Sequence, residues 1–190
     1  MADASALLSD WIAHLRDERR FAANSVEAYQ RDVSVFLGFL REPLRGAPSA
    51  RALAEVEPRA LRACRAHRRQ GPDALADRSI ARALAAIRSF YRYLEKRHGI
   101  ANARLSLVRG PKLKATLPRP VSEAAARDLI ADARENAAQD WVGARDAALV
   151  TLLYAAGLRI SEALALTGGD RPLPEMLRVR GKGGKERLVP

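Results

Sequence analysis

From Ser5 to about Gly99 the apolar residues recur every three to four positions, the spacing of helices buried along one face, with few stretches of strand-like alternation. Four helices are predicted there. The first runs from Ser5 to Arg19 and carries Leu8, Trp11, Ile12 and Leu15 on one face. The second opens at Asn24-Ser25, where Ser25 has the chemistry of an N-cap, and lines up Val26, Tyr29, Val33, Phe36, Leu37 and Leu40. A third, Arg59 to Arg69, follows Glu57-Pro58, because proline suits a first helical turn, and Gly71-Pro72 ends it. The fourth, Ala76 to His98, is the most clearly two-faced. Ile80, Leu84, Ile87, Tyr91 and Leu94 share one sector, and Arg78, Arg82, Arg88, Arg92 and Lys96 lie across from them.

The pattern changes at Gly99. Residues 104–119 hold five basic side chains (Arg104, Arg109, Lys112, Lys114, Arg119), no acid, and prolines at 111 and 118, which reads as an extended basic linker. Helical periodicity resumes at Ser122, a second N-cap candidate, and continues to about Arg134. A further helix is predicted from Asp140 to Ala156 with Ala147, Val150, Thr151 and Tyr154 inward, and another from Arg159 to Thr167. Met176 to Arg180 and Glu186 to Val189 alternate as the two strands of a hairpin around a glycine-rich turn. The expected organisation is therefore a helical domain over residues 1–100, a linker over 101–120 and a mixed domain over 121–190, mainly α with one small β-hairpin.

Charge then narrows the class. The chain has 190 residues, 33 Lys/Arg against 22 Asp/Glu and a formal net charge of +11, so a polyanionic partner is expected. The excess is concentrated: Glu57 to Arg97 carries eleven basic residues and four acidic ones. Surfaces of that kind grip phosphates and supply affinity without sequence choice. The single cysteine, Cys64, and three scattered histidines lack the spacing of a metal site, so no metal and no cofactor are expected. Apolar stretches are too short to span a bilayer and the start lacks the basic region of a signal peptide, which predicts a soluble, cytoplasmic protein without a membrane partner.

Candidate chemistry lies near the C-terminal end. Arg159 stands close after Gly157, where a helix begins, and its guanidinium can meet a phosphate bidentately. Glu162, three residues on, shares nearly the same face and can hold that guanidinium. Lys182, between glycines in the turn Gly181-Lys182-Gly183-Gly184-Lys185, can bring a charge or a proton to a phosphate oxygen. The turn is not a nucleotide-binding P-loop, because the spacing and the following helix are missing.

Two stretches together resemble one family. Ala144-Arg145-Asp146 through Leu153-Tyr154-Ala155-Ala156-Gly157-Leu158-Arg159-Ile160-Ser161-Glu162-Ala163-Leu164, then Val179-Arg180-Gly181-Lys182-Gly183-Gly184-Lys185-Glu186-Arg187, look like a tyrosine recombinase of the Xer type. The basic linker and the helix carrying Ser25 and Tyr29 are similar to that family's N-terminal core-binding domain. The resemblance implies a four-helix, SAM-like core-binding domain followed by the N-terminal part of an α+β catalytic domain. It also implies binding of double-stranded DNA, with strand breakage and rejoining through a 3′-phosphotyrosine. Arg159 matches the first catalytic arginine, Lys182 the hairpin lysine that protonates the leaving 5′-oxygen, and Glu162 the accompanying acid. Ser25, Tyr29, Arg31, Arg78, Arg82, Lys112, Lys114 and Lys185 are the DNA-contacting candidates. A second recombinase subunit in a tetrameric synaptic complex is the implied partner, and DNA integration or chromosome dimer resolution, with its link to chromosome partition at cell division, the implied role.

The sequence departs from the family pattern in ending at Pro190, with no His-x-x-Arg motif. Tyr29, Tyr91, Tyr93 and Tyr154 all precede the hairpin, so the chain is expected to bind DNA without cleaving it, and residues 121–190 are expected to expose apolar surface. Gly168-Gly169-Asp170-Arg171-Pro172 also differs from the family's usual run, which predicts an altered loop. A non-catalytic DNA-binding accessory protein on the same scaffold is the competing reading. An RNA-binding protein is weaker, since 5% aromatic residues offer few platforms for base stacking.

Overall fold

The computed structural model describes residues 3–70, 74–113, 119–181 and 184–190; the candidates Lys114 and Lys182 lie outside them. The chain divides into two compact units, residues 1–115 and 116–190.

In the first unit, α1 (Ala4–Ala13) runs into a wider turn (His14–Glu18), followed by α2 (Ala23–Arg41), α3 (Ala50–Glu55), α4 (Pro58–His67) and α5 (Asp77–His98). The predicted stripes become one core, with Leu7, Trp11, Val33, Phe36, Leu53, Phe90 and Leu94 wholly enclosed. Trp11 meets Phe90 edge-on at 5.3 Å between ring centroids and stacks on Tyr29 at 6.2 Å. Tyr91 sends its hydroxyl to the carbonyl of Leu53, tying α5 to α3. Helix α2 begins at Ala23, not at Ser25: the backbone leaves its extended conformation at Ala22, without a side-chain cap, and Ser25 lies inside the first turn. Helix α3 was absent from the predicted set. Ser49 caps it by accepting the Ala52 amide, and Leu53 is its one buried side chain.

Residues 103–108 are not a free linker. Ala103–Leu107 form a 3-10 turn that buries Leu105, and Val108 is buried directly after it, both within the helical core. Arg88 donates to the Val108 carbonyl, and Arg65 donates to the Arg109 carbonyl at 2.8 Å. Two apolar anchors and two charge-assisted hydrogen bonds outweigh the chain entropy that the basic, proline-punctuated composition favours.

In the second unit α6 (Glu123–Glu135) packs on α7 (Asp140–Ala155), and Ser122 caps α6 as expected, accepting the Ala125 amide. The buried positions of α7 are Gly143 and Ala147, with Leu149, Leu152 and Leu153 half-covered, whereas Thr151 and Tyr154 are exposed. Ala147 and Val150 are covered as predicted, but α7 is apolar over much of its surface, so periodicity alone placed Thr151 and Tyr154 on the wrong side. Helix α8 (Ile160–Ala163) is a single turn that stops short of Thr167, because Asp170 accepts the Thr167 amide and hydroxyl and starts a separate 3-10 turn, Gly168–Asp170. Strands β1 (Leu177–Arg180) and β2 (Glu186–Val189) pair antiparallel, with Val179 opposite Arg187. Their core is small: Leu158, Ala163, Leu177, Val179 and Val189.

Candidate active site and phosphate-binding residues

Helix α7 ends at Ala155, and the chain turns at Gly157, whose φ of 59° is open to glycine and strained for other residues, delivering Arg159 to the start of α8. Arg159 is still extended (φ −75°, ψ 151°), so its backbone N–H is not used by the helix. Glu162, one turn on, accepts that N–H through Oε2 at 2.8 Å and the Arg159 guanidinium through Oε1 at 2.8 Å. The sequence-level pairing of Arg159 with Glu162 is thus present as a doubly held arginine.

The hairpin supplies a third member that sequence reasoning missed. Arg187 makes a bidentate contact with Glu162, Nη1 to Oε1 at 2.7 Å and Nη2 to Oε2 at 2.8 Å, and also donates to the Gly157 carbonyl at 3.3 Å. Its signal was positional. Strand alternation puts Arg187 on the same face as Val189, opposite Val179, where a charged side chain needs a partner. The Glu162 carboxylate is buried and held far below its ordinary 4.5, at about 2, first by the Arg187 guanidinium and then by the Arg159 backbone and side-chain N–H groups. Reciprocally, Glu162 raises the pKa of Arg187. Gly181 lies against the cluster: a Cβ there would stand 3.3 Å from both Arg159 Nη1 and Glu162 Oε1. One carboxylate under two guanidiniums leaves net positive charge, and the Arg159 side chain remains 62% exposed to meet an anion.

The other candidates are not gathered into one place. Lys185 is exposed at the foot of β2, and Lys112 is exposed after the 3-10 turn. In the first unit Arg31 and Arg78 are exposed, Ser25 is half-buried, and Tyr29 packs its ring between Trp11 and Phe21. Arg82 is not a plain solvent-facing cation: its Nε donates to Asp32 at 2.9 Å, and Asp32 is wholly buried. Arg88 is likewise engaged on the Val108 carbonyl, which leaves Arg78, Arg92 and Lys96 as the exposed part of the α5 stripe.

Residues 8–98 match the phage integrase N-terminal SAM-like domain family. Tyrosine recombinase XerC of Methylobacterium nodulans is 48% identical over 185 residues, covering 95% of this chain and 56% of its own length. Over nearly its whole length the chain is similar to the Xer-type tyrosine recombinases. XerC of Rhizobium meliloti is 44% identical over 182 residues, again 95% of this chain and 56% of the relative. The crystal structure of XerA recombinase aligns over 97% of this chain and 58% of that one, at 26% identity and a TM-score of 0.41. The chain thus spans a little over half the length of the curated relatives it matches. Among the described residues no helix is long and apolar enough to cross a membrane, and no group of three potential metal ligands occurs.

Proposed function

We propose that the chain serves site-specific DNA recombination, gripping duplex DNA with its helical unit and presenting Arg159, with Lys182 from the hairpin turn, to the scissile phosphate. The Glu162 cluster carries this reading. A tyrosine hydroxyl attacking a phosphodiester forms a new P–O bond as the bond to the 5′-oxygen breaks, and negative charge accumulates on the non-bridging oxygens. A guanidinium already fixed beside that position stabilises the charge without reorganising. Glu162 provides the fixation for Arg159 through both backbone and side chain. Lys182 is assigned the proton for the 5′-oxygen. The positive charge comes from side chains, so the chemistry calls for neither a metal nor a cofactor.

None of the four tyrosines is assigned as the nucleophile. The Tyr91 hydroxyl is engaged on Leu53 and burial pushes its pKa up, while Tyr29 and Tyr93 belong with it to the helical unit. Tyr154 is an exposed residue of α7 with no part in the Glu162 hydrogen bonds. In this reading the recombinase acts in the cytoplasm, with a second recombinase subunit in a tetrameric complex on DNA, and its role is DNA integration or chromosome dimer resolution at cell division.

Competition against a labelled duplex tests the reading. Unlabelled duplex is expected to displace the label at lower concentration than single-stranded DNA or RNA of the same sequence, and Arg159→Ala is expected to weaken duplex binding. Stronger displacement by RNA or single strands would sink it. A nicked suicide substrate is expected to yield no covalent adduct with residues 1–190. An adduct would assign the nucleophile to one of the four tyrosines and correct this account.

A further inference from the structure

Asp32 is fully enclosed on α2, among the apolar residues Val33, Phe36 and Leu37. A carboxylate in that position costs free energy unless it is paired, and two arginines from different parts of the fold pair it, one on each oxygen. Arg68, just past the end of α4, donates Nη1 to Oδ1 at 3.0 Å, and Arg82, on α5, donates Nε to Oδ2 at 2.9 Å. Each guanidinium has five N–H donors, and among the described residues each uses one of them on Asp32. The Arg82 side chain is 38% exposed and that of Arg68 is 15% exposed, so both reach the surface from a shared buried anchor. One negative charge beneath two positive ones leaves the pair net cationic, and Arg78, one turn before Arg82 on α5, is exposed.

The geometry points to Asp32 as a positioning residue that aligns Arg68 and Arg82 side by side as a clamp for one DNA backbone phosphate. This rests on the duplex-binding reading above. A guanidinium fixed before binding loses little side-chain freedom when it meets a phosphate, and two such groups present their remaining donors to one anion. The buried carboxylate therefore acts on DNA through the arginines and touches no nucleic acid itself.

Salt-dependent duplex anisotropy on the wild type, Asp32→Asn, Arg82→Gln and the double variant tests this, with circular dichroism confirming the fold of each. Loss of one phosphate contact makes the slope of log K against log salt shallower by about one and weakens binding about tenfold. Arg82→Gln and Asp32→Asn are each expected to show that loss, and the double variant is expected to show little more than either. A folded Asp32→Asn with wild-type slope and affinity overturns the proposal, as do losses that simply add. If Asp32→Asn fails to fold, Arg82→Gln and Arg68→Gln decide: non-additive losses support a shared phosphate, and a wild-type slope in either rejects it. Absence of duplex binding by the wild type defeats the underlying reading and this proposal together, whereas normal wild-type binding with unaffected variants defeats the proposal alone.

Discussion

Glu162 is the residue on which the site turns, because it converts two mobile arginines into a fixed cationic surface. The direction of its pKa shift sets a pH window. A carboxylate lowered from 4.5 to about 2 in the folded protein adds stability above pH 4.5 and loses that contribution as pH falls toward 2. Carbon-detected NMR titration of the Glu162 carboxyl should give a midpoint near 2, moving back toward 4.5 in Arg187→Gln, since Arg187 is the largest cause of the shift. A midpoint near 4.5 in the wild type would mean that the cluster is open in solution. Arg159 and Glu162 were legible in the sequence because they are three apart at a helix start. Arg187 was not, because its partner lies 25 residues away and only the hairpin register brings them together.

Among the elements, the long amphipathic helices were readable, α7 was readable in its bounds but not in its whole inward face, and the short α3 was not readable. Helix α5 offers 22 residues of consistent phase, whereas α3 has six residues and one buried side chain, too few for a period to emerge. Its cap, Ser49, was the available signal. The basic stretch after Gly99 misled for another reason: composition described its exposed residues, while Leu105 and Val108 decided its placement. Leu105→Ala should therefore cost about 2–5 kcal/mol in urea denaturation, as for a core leucine. A free linker would instead lose less than about 0.5 kcal/mol. A midpoint unchanged from the wild type would return residues 103–108 to the linker.

Across the whole molecule the two units differ in how much they bury. The helical unit encloses aromatic and aliphatic side chains from five helices, while the second unit centres on five small to medium residues and exposes Leu129, Trp141, Ile160, Leu164 and Leu188. Native-state hydrogen exchange should accordingly find the amides of α6 and α7 opening at lower free energy than those of α5. Equal protection in the two units would contradict that. The basic character predicted from composition is divided in the structure. Arg65, Arg68, Arg82 and Arg88 bond inside the helical unit, while Arg31, Arg78, Arg92 and Lys96 stay exposed. Counting charges thus raised the expectation of a polyanionic partner, and burial was needed to say which cations are engaged within the fold. A salt titration of duplex DNA binding by the whole chain tests the central claim most directly. The account predicts that log K falls with log salt at a slope of about −4 or steeper, the signature of four or more phosphate contacts. A flat dependence, or no duplex binding at low salt, would contradict it.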